Sequence, residues 1–88
     1  MSLIESYIGK NVFVRTVTHH YTGALAAADE QYLQLDDAAW IADDGRFATA
    51  LSSGTLNEIE PYPGTCLLGV GAVLDISEWT HDLPRTQK

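Results

Sequence analysis

Most residues of this 88-residue chain that could do chemistry lie between Thr18 and Leu35, in the stretch THHYTGALAAADEQYLQL. His19 and His20 are of the type that ligates metals or moves protons near neutral pH. Adjacent strand residues point to opposite faces, so two neighbouring imidazoles at a hairpin tip cannot easily chelate one ion. A polar, solvated turn is the expectation for them. The pairs Asp36–Asp37 and Asp43–Asp44 offer clustered oxygens of the kind hard cations take, yet their spacing matches no calcium loop. They read as a charged, solvated rim. Cys66, ahead of an apolar run, reads as a small buried hydrophobe and not as a nucleophile. A single cysteine also excludes an intrachain disulfide and a multi-cysteine zinc site. There is no phosphate loop and no dinucleotide fingerprint. The expectation is a protein with no catalytic residue, no metal and no cofactor.

Composition narrows the partners. Twelve acidic and five basic residues give a net charge of −7. That argues against a non-specific nucleic-acid binder, whose affinity comes from Lys and Arg displacing condensed counterions. Lys10, Arg15, Arg46, Arg85 and Lys88 are dispersed and form no basic stripe. The hydrophobic fraction of 45% and charged fraction of 19% are those of a folded chain. Residues 1–88 read as a single domain. A domain this small buries a little over ~60% of its unfolded surface, so self-association would be a natural supplement. MSLIESYIGK resembles neither a signal peptide nor a membrane anchor. The longest apolar run, CLLGVGAVL, falls far short of the ~20 residues a membrane helix needs. A soluble, cytoplasmic protein is expected.

The elements that must position these residues are mostly strands. SLIE is a capping box from Ser2 to Glu5, and Leu3, Ile4, Tyr7 and Ile8 share one face of a short opening helix that Gly9 ends. NVFVRTV, YTGALAAA and YLQLDDAAWIA read as strands, with Gly23 permitting a sharp bend or a close backbone approach. DDGRFATALSSG reads as a short helical insertion capped by Asp43 or Asp44 and stopped by Gly54. TLNEIEPYPG is extended and closes on a turn, and TCLLGVGAVLDISEW gives two short strands hinged at Gly69–Gly71. The expected fold is all-β: a short helix, then about five strongly bent strands that close into a barrel to remove exposed edges.

At this point the chain resembles the Sm/LSm family. The family's first motif is an apolar strand of the form GKxVxVxL followed by Y-x-G-x-L-x-x-x-D and L-x-L with a small residue. Ile8, Gly9, Lys10, Val12 and Val14 supply the strand. Tyr21, Gly23, Leu25 and Asp29 fall at the family spacing, and Leu33, Leu35 and Ala38 follow one residue closer to Asp29 than usual. The second motif departs: LLGVGAVLDI has the apolar residues and glycines but lacks the family arginine, with Leu68 or Val70 in its place. The insertion between the third and fourth strands makes the chain more similar to small bacterial and phage Sm-like proteins than to the spliceosomal ones. The resemblance implies a five-stranded Sm-like (SH3-like) barrel.

It also implies a homo-oligomeric ring of five to seven copies, in which the fourth strand of one copy pairs with the fifth of the next. CLLGVGAVLDI, apolar and proline-free, would be an aggregation hazard if left as an open edge. By position, the family's pore-side pocket for RNA maps onto Asp29, Gln31 and Tyr32 in one loop and Gly69, Val70 and Gly71 in the other. Tyr32 is placed to stack on a base, Gln31 to read a base edge, and the amides at Gly69 and Gly71 to meet phosphate. The leading expectation is a non-catalytic ring that binds RNA or single-stranded DNA. The alternatives are an acidic ring serving as a protein-interaction or assembly module, and an SH3-like monomer of another lineage.

Overall fold

The computed structural model describes residues 3–88. The proposed cap at Ser2 therefore lies outside the described residues. The short opening helix expected is present, as a 3-10 helix over Leu3–Tyr7. Gly9 adopts φ 91° and ends it after five residues, too few for an α-type ladder to establish itself. Ile4 and Tyr7 still pack on the core, while Leu3 and Ile8 are exposed. Bonds from Gly9 N–H to Leu25 O (2.8 Å) and from Leu25 N–H to Lys10 O (2.9 Å) fasten the segment to the sheet.

Six strands follow: β1 (Asn11–Thr16), β2 (His20–Ala28), β3 (Tyr32–Asp43), β4 (Glu58–Pro61), β5 (Cys66–Gly69) and β6 (Val73–Glu78). They form one antiparallel sheet in the order β4-β3-β2-β1-β6, with β5 also pairing β3. Where five strands were expected, the fourth is interrupted. Its first half pairs Glu58–Pro61 with Asp43–Ala39, and its second half pairs Cys66–Gly69 with Leu35–Tyr32. Pro61 and Pro63 have no N–H to give the ladder, which cannot run through them. Within the gap the Tyr62 N–H donates to Ala38 O at 2.8 Å.

The sheet curls because its register slips at defined places. One slip lies between Thr22 and Ala24, around Gly23. A Cβ on Gly23 would meet Leu35 Cβ at 3.0 Å and Asp36 O at 3.2 Å, so the close approach needs glycine. Inside the curl lies a core built on Val12, Val14, Leu25, Leu35 and Leu68. Phe13 points the other way, into a second cluster with Ile41, Leu56, Ile59 and Trp79.

The inserted helix α1 (Phe47–Ser53) helps cover this second face. Its N-cap is Arg46 without a side-chain bond, not Asp43 or Asp44. Asp43 accepts from Gly45 N–H, and Asp44 is drawn to His20, so neither reaches the helix end. Gly54 does end the helix, at φ 77°. Residues 79–88 complete the cover. Trp79 stacks on Phe13 (5.5 Å between centroids) and Leu83 packs beside it.

Candidate functional site

Two turns at one end of the sheet form the site: the β2–β3 turn around Asp29–Gln31 and the 3-10 turn Val70–Ala72 between β5 and β6. Asp29 organises the first. Its Oδ1 accepts from both Gln31 N–H and Tyr32 N–H at 2.8 Å, and its own N–H donates to Tyr32 O at 3.0 Å. The Tyr32 amide, then the Gln31 amide, hold the Asp29 carboxyl below the usual aspartate range. Val70 N–H donates to Gln31 O at 2.8 Å and ties the second turn to the first. Tyr32 pairs with Gly69 across β3 and β5, and the residue is 48% exposed at the junction. Asp29, Gln31, Tyr32, Gly69 and Gly71 are thus brought to one end. Apart from their chain neighbours, no described atom lies within 4 Å of where a Cβ on Gly69 or Gly71 would sit, and both residues are exposed.

Two clefts flank the junction. One, about 270 Å³, is lined by Ala27, Ala28, Asp29, Tyr32, Gln34 and Leu67. The other, about 400 Å³, is lined by Ile4, Glu5, Ala28, Asp29, Glu30 and Val70. Neither lining contains a basic residue, and the larger contains three carboxylates. The Val70 amide already serves Gln31, which leaves less free backbone for an anion than the two glycines suggest.

No protein-family model matches the chain, and no curated protein matches it. Solved structures do. An archaeal Sm protein crystallised as a heptamer is 27% identical, with a TM-score of 0.62 over 85% of this chain and 93% of that one. The SmAP1 heptamer of P. aerophilum gives the same identity and TM-score, over 85% of each chain. The fold is Sm-like. In that frame β4 and β5 together stand for the fourth strand and β6 for the fifth. Tyr21, Gly23 and Leu25 lie on β2, Asp29 lies in the turn that follows it, and Val70 sits in the turn between β5 and β6.

The other candidates separate within the Sm-like fold. His19 lies against Trp40 (4.6 Å between centroids), whereas His20 Nδ1 is 2.9 Å from Asp44 Oδ2 and its ring meets Phe13 edge-on. Both are half-buried, so the solvated turn expected for them is replaced by two aromatic contacts pointing apart. Among the described residues no three His, Cys, Asp or Glu side chains converge as a metal site would require. Asp36 Oδ1 accepts from Thr65, and Asp37 adopts φ 50° opposite the break in the fourth strand. Cys66 is buried, and burial pushes its thiol up, which keeps it protonated and unreactive. Its neighbour Tyr62 is pushed up to about 12, first by burial and then by Cys66 and Tyr21. No described helix is long and apolar enough to cross a membrane.

Sequence reasoning named Val70 but missed Glu5 and Leu67 as lining residues. Glu5 looks like a helix cap, and nothing local shows that the opening helix docks beside the β2–β3 turn.

Proposed function

We propose that this chain assembles into a homo-oligomeric ring and takes bases of single-stranded nucleic acid, RNA or DNA, against Tyr32, without catalysing a reaction. The observation that carries the reading is the half-exposed Tyr32 at the hydrogen-bonded junction of the two turns. Aromatic stacking contributes about 1–3 kcal/mol per base and tolerates any sequence. The heptameric Sm neighbours support the ring. So do Leu67 on β5 and Leu74 on β6, 59% and 63% exposed on the strands a neighbouring copy would pair. Joining those edges head to tail around a closed ring would remove both from solvent.

Light scattering on a sizing column tests the ring; a monomer at micromolar concentration sinks it. Titration of labelled oligo(U) and oligo(A) at low salt tests the site. Tyr32→Ala is expected to weaken binding roughly 5- to 150-fold, the equivalent of the lost stacking. A second reading rests on Glu5, Asp29 and Glu30 around the larger cleft: an acidic ring that docks a basic protein segment. If neither oligonucleotide binds but a Lys-rich peptide does, and Glu30→Gln weakens that binding, the second reading replaces the first.

A further inference from the structure

The outer edge of β4 is already occupied by the chain itself. Ile59 N–H donates to Lys88 O at 2.9 Å, and Lys88 N–H donates back to Ile59 O at 3.0 Å, a reciprocal pair like one rung of a sheet. Arg85 spans the break that follows: Nη1 donates to Ala38 O and Nη2 to Tyr62 O, both at 3.1 Å. Gln87 reaches Glu60 at 3.2 Å, and Leu83 packs on the cluster that contains Ile59. Pro61 and Pro63 have no N–H to offer a partner strand. From Ile59 to Pro63, then, the edge is satisfied or blocked. β5 differs. Among the described residues its strand pairs only toward β3, except that Val70, just beyond it, bonds Gln31.

We infer that residues 83–88 are an intramolecular edge guard: they compete with a second copy of this chain for β4 and confine pairing between copies to the four residues of β5. The inference rests on the reading that this edge and β6 form the contact in the ring. The guard stops a neighbour's β6 from continuing past Cys66 into β4, where a longer, differently angled pairing would not close. It is an autoinhibitory contact within the assembly surface, held by one backbone rung and a guanidinium that covers the Ala38 and Tyr62 carbonyls at the break.

Amide hydrogen exchange on the full chain at two concentrations, with light scattering, tests this. In the intact chain Ile59 and Lys88 amides should be protected together and equally at both concentrations. Protection within Cys66–Gly69 should rise with concentration. Arg85→Ala combined with Lys88→Pro should lower Ile59 protection at least tenfold and shift the mass distribution to larger, broader species, with circular dichroism still that of a folded sheet. Should the double variant lose that spectrum, the intact chain decides alone. Ile59 protection that rises with concentration while the Lys88 amide exchanges freely overturns the guard, because a second copy would then hold β4. So does an unchanged mass distribution in a folded variant whose Ile59 amide has lost protection. A chain monomeric at both concentrations, with Ile59 and Lys88 still protected, sinks the ring reading and leaves the guard of the β4 edge standing.

Discussion

Asp29 finds its partners within three positions of itself, and for that reason its spacing discloses its role. The two amides it holds belong to Gln31 and Tyr32, two and three positions on in the chain, so the turn is written locally. Gly23 is legible for a similar reason: a strand that must bend tightly needs a residue without Cβ, and the Leu35 and Asp36 contacts leave no room for one. The histidines are not legible, because their partners come from afar; Asp44 is 24 positions from His20 and Trp40 lies on another strand. Tyr32 is legible as a candidate only, since exposure depends on where β5 lies. The amide bonds on Asp29 carry a pH dependence whose sign is fixed. A carboxyl held below its ordinary value favours the closed turn above the unfolded pKa, about 3.9, and that contribution is lost as pH falls through the lower folded value. NMR titration should therefore show the Gln31 and Tyr32 amide shifts moving together with a midpoint below about 3.9. In Asp29→Asn the transition should vanish. A midpoint at or above the ordinary aspartate value would mean that the two amide bonds do not hold in solution.

At the scale of elements, starts and stops are mostly readable and partners are not. Gly54 reads as a helix stop and is one; Pro61 and Pro63 read as a turn, and they do break the strand. That both halves still lie on β3 cannot be seen locally, because strand pairing joins residues far apart in sequence. The start of α1 departs from its reading because an aspartate near a helix is free to cap it or to bind elsewhere, and tertiary contacts chose the latter. Gly54 is also where two distant elements meet. A Cβ there would fall 2.7 Å from Cγ of His81, whose Nε2 lies 2.8 Å from Leu51 O in the last turn of α1. With φ at 77° the backbone also disfavours any side chain. Gly54→Ala should therefore destabilise the fold by about 1–3 kcal/mol in urea unfolding, combining left-handed strain with the displaced ring. A loss within experimental error would mean that residues 79–88 do not pack on α1 as described.

On the scale of the molecule, charge and architecture make opposite demands. The Sm-like fold supplies two edges that want partners, yet each copy brings a charge of −7 to every neighbour. Copies with like charge repel, and added salt screens that repulsion over a Debye length of about 10 Å at 0.1 M. The same electrostatics governs nucleic-acid binding. A protein that holds phosphates with Lys and Arg releases counterions and loses affinity steeply as salt rises. Neither cleft at the junction of the turns has a basic residue in its lining, so few counterions can be released there. What remains for the proposed binding is stacking on Tyr32, opposed by repulsion between the oligonucleotide and Glu5, Asp29 and Glu30. Raising salt from about 50 to about 200 mM should consequently leave oligo(U) affinity unchanged or improve it, where several phosphate contacts would cost orders of magnitude. Titrations at the two concentrations, with the mass of the assembly measured in each, decide this. A tenfold fall in affinity with the assembly intact would place the binding surface elsewhere, beside the dispersed Lys and Arg residues, and would remove Tyr32 from the interface.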